Sequence, residues 1–430
     1  MITMNDTRLL SIIKKYGTPS YVFDASEVRE RAGKIRSLIG GRLCFSIKAN
    51  PFLIPALMDT VDCFEVCSPG ELYICEHLKV PGSMIVYSGV HKETEDIAEA
   101  IRYGAGVLTA ESVRQYELIC EAAASAATGN PVNVILRLTS ESQFGMSLED
   151  IEKILKHHSE NITGSSAVRI TGLHYFAGTQ RLRLDHQRKE LERLRELFEM
   201  LKNKYGLPLS MLEYGPGLGY PYFESDDLSD TLAPAKELSS DLKAASKWCD
   251  LTVEMGRFIA SSCGYYLTSI ADIKTSSDKN WIIADGGIHH LNYFGQRMGL
   301  KFPVIKMLHT SHSGDDSRSD EKISSAGTVF SDDAAPSDID GIEQTDTKPY
   351  DICGSLCTTN DVLVRGYGLQ DPKIGDVLIF CNAGAYSVTE SMQLFLSRTM
   401  PGVIIADETG ETLVRDPIDT WKMNCCLYDK

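Results

Sequence analysis

Between residues 43 and 257 the chain alternates two textures of apolar and polar positions. Short apolar, β-branched runs read as strands: "LCFSIK" (43–48), "CFEVCS" (63–68), "MIVYSG" (84–89), "GVLTAE" (106–111), "VNVILRLT" (132–139), "ITGLHYF" (170–176), "MLEYGPG" (211–217) and "LTVEMGR" (251–257). Between them lie segments with apolar residues at three- and four-residue spacing, among them 113–127, 148–158 and 184–204, which read as amphipathic helices. Several strand runs are almost wholly apolar, as parallel strands covered on both faces should be. Eight strands, each followed by a helix-sized segment, predict an α/β chain with a (β/α)8 TIM barrel; an open doubly wound sheet is the alternative.

Past residue 257 the helical periods thin out. "YYLTSIADIKT", "NWIIADGGI", "DVLVRGYGL" and "GDVLIFCNAGAY" are strand-like runs broken by Gly, Asp and Asn, which predicts a β-rich second domain. The expected division is a barrel over 26–257, with 1–25 and 258–430 forming the β-rich domain. Residues 310–346 are crowded with Ser, Asp, Gly and Thr, too few large apolar groups to offset ordering entropy, and are expected to form a mobile acidic loop.

Composition narrows the function classes. With 430 residues, 43% hydrophobic and 24% charged, the chain reads as a soluble protein with a large core. A formal charge of −16 argues against a nucleic-acid partner. The 12 cysteines show no zinc-type spacing, so no metal site is expected, and their scatter favours reduced thiols. With no signal-peptide pattern and no apolar run long enough to span a bilayer, the expectation is a cytoplasmic protein without a membrane partner.

Barrel enzymes build their sites at the C-terminal ends of the strands. Lys48, Ser68, His174, the turn Gly215-Pro216-Gly217, Glu254 and Arg257 all fall at such ends. A lysine placed there suits condensation with a carbonyl. The glycine-containing turn and Arg257 lie where barrels commonly hold a phosphate, and Glu254 is a carboxylate for a ring nitrogen. Aldehyde-binding lysine, phosphate cradle and acidic partner together describe pyridoxal phosphate. Singly, the same features read as a solvated lysine, an ordinary turn and a satisfied core histidine; their order along the barrel gives them meaning.

On these residues the sequence resembles the fold-type III pyridoxal-phosphate decarboxylases, which include diaminopimelate and ornithine decarboxylases. The likeness runs from "TPSYVFD" (18–24) to "MPGVII" (400–405). "SIKANP" (46–51) is similar to the cofactor-lysine motif, "FEVCSPGEL" (64–72) to the second-strand segment and "GLHYFAGTQ" (172–180) to G-L-H-F-H-I-G-S-Q. "EYGPGLGYPY" (213–222) resembles the glycine-rich phosphate loop, "EMGR" (254–257) E-P-G-R, and "GSLCTTND" (354–361) G-P-L-C-E-S-x-D. "NAGAY" (382–386) is similar to the segment that brings a tyrosine to the phosphate. The resemblance implies a barrel plus β-domain, a homodimer with shared active sites, and pyridoxal 5'-phosphate as cofactor. It implies that Lys48 carries the cofactor and that Cys357, from the other subunit, is the general acid. His174, Phe176, Thr179, Gly215, Gly217, Glu254, Met255, Gly256, Arg257 and Tyr386 would contact the cofactor, and Thr358 and Asp361 the substrate.

Departures from the pattern bear on substrate. The ring-stacking histidine is Phe176, the middle glycine of the phosphate loop is Pro216, and the glutamate after the catalytic cysteine is Thr358. The arginine segment expected after "DGG" (285–287) is absent from "HHLNYFGQRMG" (289–299). Groups that read a charged distal end are thus largely missing. "HYFAGTQRL" resembles the subgroup of these decarboxylases associated with acyl carrier proteins in butirosin-type antibiotic biosynthesis. It implies a glutamyl group tethered to an acyl carrier protein as substrate. Against the formal charge of −16, an acidic carrier would need a local basic face, for example Arg181, Arg183, Arg188 and Lys189, charges that otherwise read as a solvated helix face. The alternatives are decarboxylation of diaminopimelate or another free amino acid, and a non-catalytic regulatory homologue.

Overall fold

The computed structural model describes residues 4–126, 129–160, 167–293, 301–310 and 347–426. Most of the expected acidic loop, and residues 294–299 of the segment after "DGG", lie outside them.

Chain packing separates two units: Val28–Tyr220 with Ser229–Ala260, and Met1–Glu27 with Pro221–Leu228 and Ser261–Lys430. The first strand, β1 (Ser20–Asp24), belongs to the second unit. The next eight close the barrel: β2 (Arg42–Ser46), β3 (Cys63–Val66), β4 (Ile85–Tyr87), β5 (Val107–Ala110), β6 (Val132–Arg137), β7 (Val168–Phe176), β8 (Met211–Gly215) and β9 (Asp250–Met255). Every neighbouring pair is parallel, and β9 closes on β2 with Cys44 opposite Glu254. The closed barrel decides against the open sheet.

Alternation along each strand sorts the side chains. On β8, Tyr214 turns outward to donate to Glu190 Oε2 on the helix Asp185–Tyr205 (2.8 Å), so its neighbours Glu213 and Gly215 face the barrel interior. The lower interior is filled by Cys44, Cys63, Val86, Val107, Ile135 and Met211, where two thiols serve as small apolar groups.

The second unit carries a nine-stranded sheet. Its path runs β14 (Val362–Gln370), β13 (Thr347–Cys353), β11 (Lys279–Ala284), β10 (Gly264–Ser276), β1, β16 (Gly402–Asp407) and β17 (Gly410–Arg415). Off this path, β15 (Val377–Phe380) pairs with β10 and with β12 (Ile305–Leu308). Residues 221–228, which the sequence pattern leaves in the barrel, pack with this unit instead. Glu224 N–H donates to Phe302 O (2.9 Å), and Tyr367 Oη donates to Glu224 Oε1 (2.6 Å). No helix among the described residues is long and apolar enough to cross a membrane.

Candidate active site

Strand β2 stops at Ser46, and Lys48 sits in a single turn, Ile47–Ala49. The Asn-Pro that follows explains the stop. Asn50 accepts from Phe52 N–H (3.1 Å) and Pro51 opens the next short turn, so the chain bends away and leaves the lysine at the mouth.

Lys48 Nζ lies 2.7 Å from Glu65 Oε2 and 3.5 Å from Glu254 Oε1; its side chain is 38% exposed, those of the glutamates 3% and 6%. Ser46 Oγ donates to Glu254 Oε1 (2.9 Å), and His174 Nε2 lies 3.2 Å from Oε2. Burial alone would push the Glu254 carboxyl up, but Lys48 and His174 outweigh it and hold it well below the usual carboxylate range. The glutamate is therefore an anion in the barrel interior. Burial, reinforced by Glu65, pushes the Cys67 thiol well up; it stays protonated and donates to Glu65 Oε1 (3.1 Å).

The loops after β7 and β8 meet at glycine. Gly217 has φ +60°, and a Cβ there would stand 1.8 Å from Gly178 O; a Cβ on Gly215 would stand 2.4 Å from the Phe176 ring. Arg181 N–H donates to Gly217 O (2.8 Å), tying the Thr179 loop to the glycine turn. Met255 ends β9, Gly256 follows, and the buried Arg257 begins the short helix Arg257–Ala260. Lysine beside an ionised carboxylate, and backbone bared by glycine where no Cβ fits, match what pyridoxal phosphate requires of its aldehyde, ring-nitrogen and phosphate contacts.

Cys357, Thr358, Asp361 and Tyr386 belong to the second unit. Cys357 is exposed on a turn between β13 and β14. Asp361, expected as a substrate contact, is buried under that turn. Its carboxylate accepts from Ile288 N–H (2.8 Å) and Leu356 N–H (2.7 Å), so it shapes the loop that presents Cys357. Arg398 Nη2 donates to Ser355 O (2.6 Å) and steadies the same loop. Tyr386 adopts φ +67°, outside the ordinary range for a tyrosine.

One expectation narrows. Of the face drawn from Arg181, Arg183, Arg188 and Lys189, two members are engaged within the chain: Arg181 Nη1 pairs with Glu190 (2.9 Å), and Arg188 with Asp185 (3.0 Å), Glu237 (3.0 Å) and Asp241 (3.4 Å). Sequence reading also missed Glu65, although a lone carboxylate in "CFEVCS" is a strong signal, because burying one without a cation is costly.

Comparisons with known proteins agree with this geometry. A family model described as the pyridoxal-binding domain of pyridoxal-dependent decarboxylases matches residues 25–261. The diaminopimelate decarboxylase of Aquifex aeolicus is 25% identical, over 95% of this chain and 91% of that protein. The L-glutamyl-[BtrI acyl-carrier protein] decarboxylase of Niallia circulans is 23% identical, over 96% of this chain and 94% of that one. A crystal structure of Methanocaldococcus jannaschii diaminopimelate decarboxylase shares the fold, with a TM-score of 0.79 at 20% identity over 99% of this chain and 98% of that one. With the family model spanning the barrel that carries Lys48, Glu254 and the glycine cradle, the chain belongs to the pyridoxal-dependent decarboxylases and is a carboxy-lyase whose cofactor is pyridoxal phosphate.

Proposed function

We propose that the protein removes the α-carboxylate of a free amino acid, diaminopimelate being the first candidate. The observation that carries this reading is the Lys48 ammonium set between Glu65 and the ionised Glu254 at the barrel mouth. The relatives in Aquifex aeolicus and Methanocaldococcus jannaschii, both diaminopimelate decarboxylases, support the substrate class. So does the pairing of Arg181 and Arg188 with carboxylates, which engages two of the four basic groups that an acidic carrier protein would need.

In this reading Lys48 would carry the cofactor aldehyde, with Glu65 beside its nitrogen, and Glu254 would face the ring nitrogen. Thr179, Gly215, Gly217, Gly256, Arg257 and Tyr386 serve the phosphate, with Phe176 beside the ring. Bound pyridoxal phosphate supplies the sink for the electron pair that carbon dioxide leaves behind. Cys357 of the partner subunit delivers its Sγ proton to the carbon that lost the carboxylate. The assembly is a homodimer, and each site is complete only with both chains.

A second reading is a glutamyl group held on an acyl carrier protein in antibiotic biosynthesis. It is favoured by Thr358, which offers no charge to a distal amine, and by the relative in Niallia circulans. Carbon dioxide release from diaminopimelate, ornithine, lysine, glutamate and glutamyl-loaded carrier protein separates the two. A free amino acid should lead in kcat/KM. A preference for the carrier-bound group of about a hundredfold, roughly 2.7 kcal/mol, would transfer the assignment to the second reading.

Shared sites make a further prediction. Lys48→Ala and Cys357→Ala proteins should each be nearly inactive, and subunit exchange between them should restore up to about a quarter of the activity, because one site of each heterodimer is intact. Proven exchange with no recovery would put both residues in one chain's site.

A further inference from the structure

Glu213 has no part in the chemistry above, yet it is fully buried in the barrel interior and neither carboxylate oxygen has a hydrogen-bond partner. Its register neighbours are His174 on β7 and Thr252 on β9. Each of these also carries a buried polar atom without a partner, His174 Nδ1 and Thr252 Oγ1. Four unmatched polar atoms thus share one level of three adjacent strands, which lie about 4.8 Å apart. Buried polar groups are almost always paired, through ordered water where direct contact fails. Below them, Thr252, Cys63 and Met211 line a cavity of about 680 Å³ at the N-terminal ends of the strands, so water has a place from which to enter.

Burial without partners says what form Glu213 takes. A carboxylate this deep in the barrel, with no hydrogen-bond partner on either oxygen, is costly to ionise, and the acid form removes that cost. His174 Nε2 lies 3.2 Å from the Glu254 anion and donates to it, so a donor on the far side, the acid or a water it holds, would leave Nδ1 as an acceptor.

We propose that Glu213 is a positioning residue: a neutral carboxylic acid, bridged by buried water to His174 Nδ1 and Thr252 Oγ1, that fixes the His174 tautomer donating to Glu254. The groups around Glu213 agree. Burial, then Glu254, Glu65 and Cys63, favour its protonated form, and Lys48 opposes them without prevailing. Cys44 on β2 is a thiol that burial keeps protonated. The inference rests on the barrel interior of the chain itself and is independent of which amino acid is the substrate.

Three readouts on the purified full-length protein test it. At mildly alkaline pH, the infrared difference between wild type and Glu213→Gln should show loss of a protonated-carboxyl carbonyl band. In 15N-histidine spectra, Glu213→Gln should keep the Nε2–H tautomer of His174, because an amide N–H donates as the acid does, whereas Glu213→Leu should lose it. The third is stability against pH. The folded chain holds on Glu213 a proton that the unfolded chain releases, so wild-type stability falls as pH rises through and above the ordinary carboxylate range. Glu213→Gln lacks that slope, and its Tm relative to wild type should climb over the same range. Absence of the infrared band with a flat Tm difference would mean that Glu213 is ionised and overturn the proposal. Retention of the tautomer in Glu213→Leu would overturn the positioning role; should that variant fail to fold, the Gln spectrum and stability slope decide.

Discussion

Lys48→Ala should yield a folded protein without the visible absorption of the lysine-bound cofactor, and with decarboxylation reduced on the order of ten-thousandfold or more. A loss of that size corresponds to about 5.4 kcal/mol of transition-state stabilisation. The one buried lysine among the described residues, Lys92, makes the test sharp. Burial pulls Lys92 down to about 8, a value suited to nucleophilic chemistry, so titration alone would nominate it. Its surroundings argue otherwise. Lys92 Nζ donates to Gly89 O (2.6 Å), Thr109 O (2.9 Å) and Gln115 Oε1 (3.1 Å), which occupy all three of its hydrogens. Lys48 instead keeps part of its side chain in solvent and faces two carboxylates. A borohydride-reducible cofactor adduct that survives in Lys48→Ala would move the covalent role to Lys92.

The barrel was legible because its information is local. Each strand is an apolar run closed by a polar or glycine-rich end, and helices at 113–126, 148–160 and 185–205 show their period directly. The small excursion at 221–228 was not legible. "PYFESDDL" has no period, and its place depends on Phe302 and Tyr367, far along the chain.

Within the site, residues at strand ends were legible by position, and Lys48, His174 and Glu254 meet as that position implies. What lies between them was not. Glu65 and Glu213 interrupt apolar runs and read as misplaced until closure of the barrel shows Lys48 above one and His174 beside the other. The run Arg181–Lys189 reads in sequence as a docking face or as a solvated helix face. Glu190 on the same helix and Glu237 and Asp241 on its neighbour engage Arg181 and Arg188, pairings that no local pattern announces. Nor does the local pattern around Asp361 show that its carboxylate accepts from two backbone N–H groups, one of them as far back along the chain as Ile288.

Glu254→Gln should be the second severe loss, because it removes the charge and one of two acceptor atoms while keeping the volume. The amide oxygen can still accept from Ser46 or from His174, though not from both. In the proposed arrangement, the anion that would hold the cofactor's ring nitrogen protonated is gone. Without that proton the sink for the departing electron pair weakens, and kcat should fall on the order of a hundred- to ten-thousandfold while KM changes little, as expected for a contact that counts mainly in the transition state. Stability gives an independent check on the charge. Lys48 and His174 favour the ionised form of Glu254 and lower its folded-state pKa, so its contribution is present above the ordinary carboxylate range and disappears as pH falls through the lowered value. Glutamine never has that contribution; the stability deficit of the variant should therefore shrink on acidification. A variant with the acid-dependent deficit but undiminished kcat would show that Glu254 is ionised for the sake of Lys48 and His174 alone, and the ring nitrogen would need another partner.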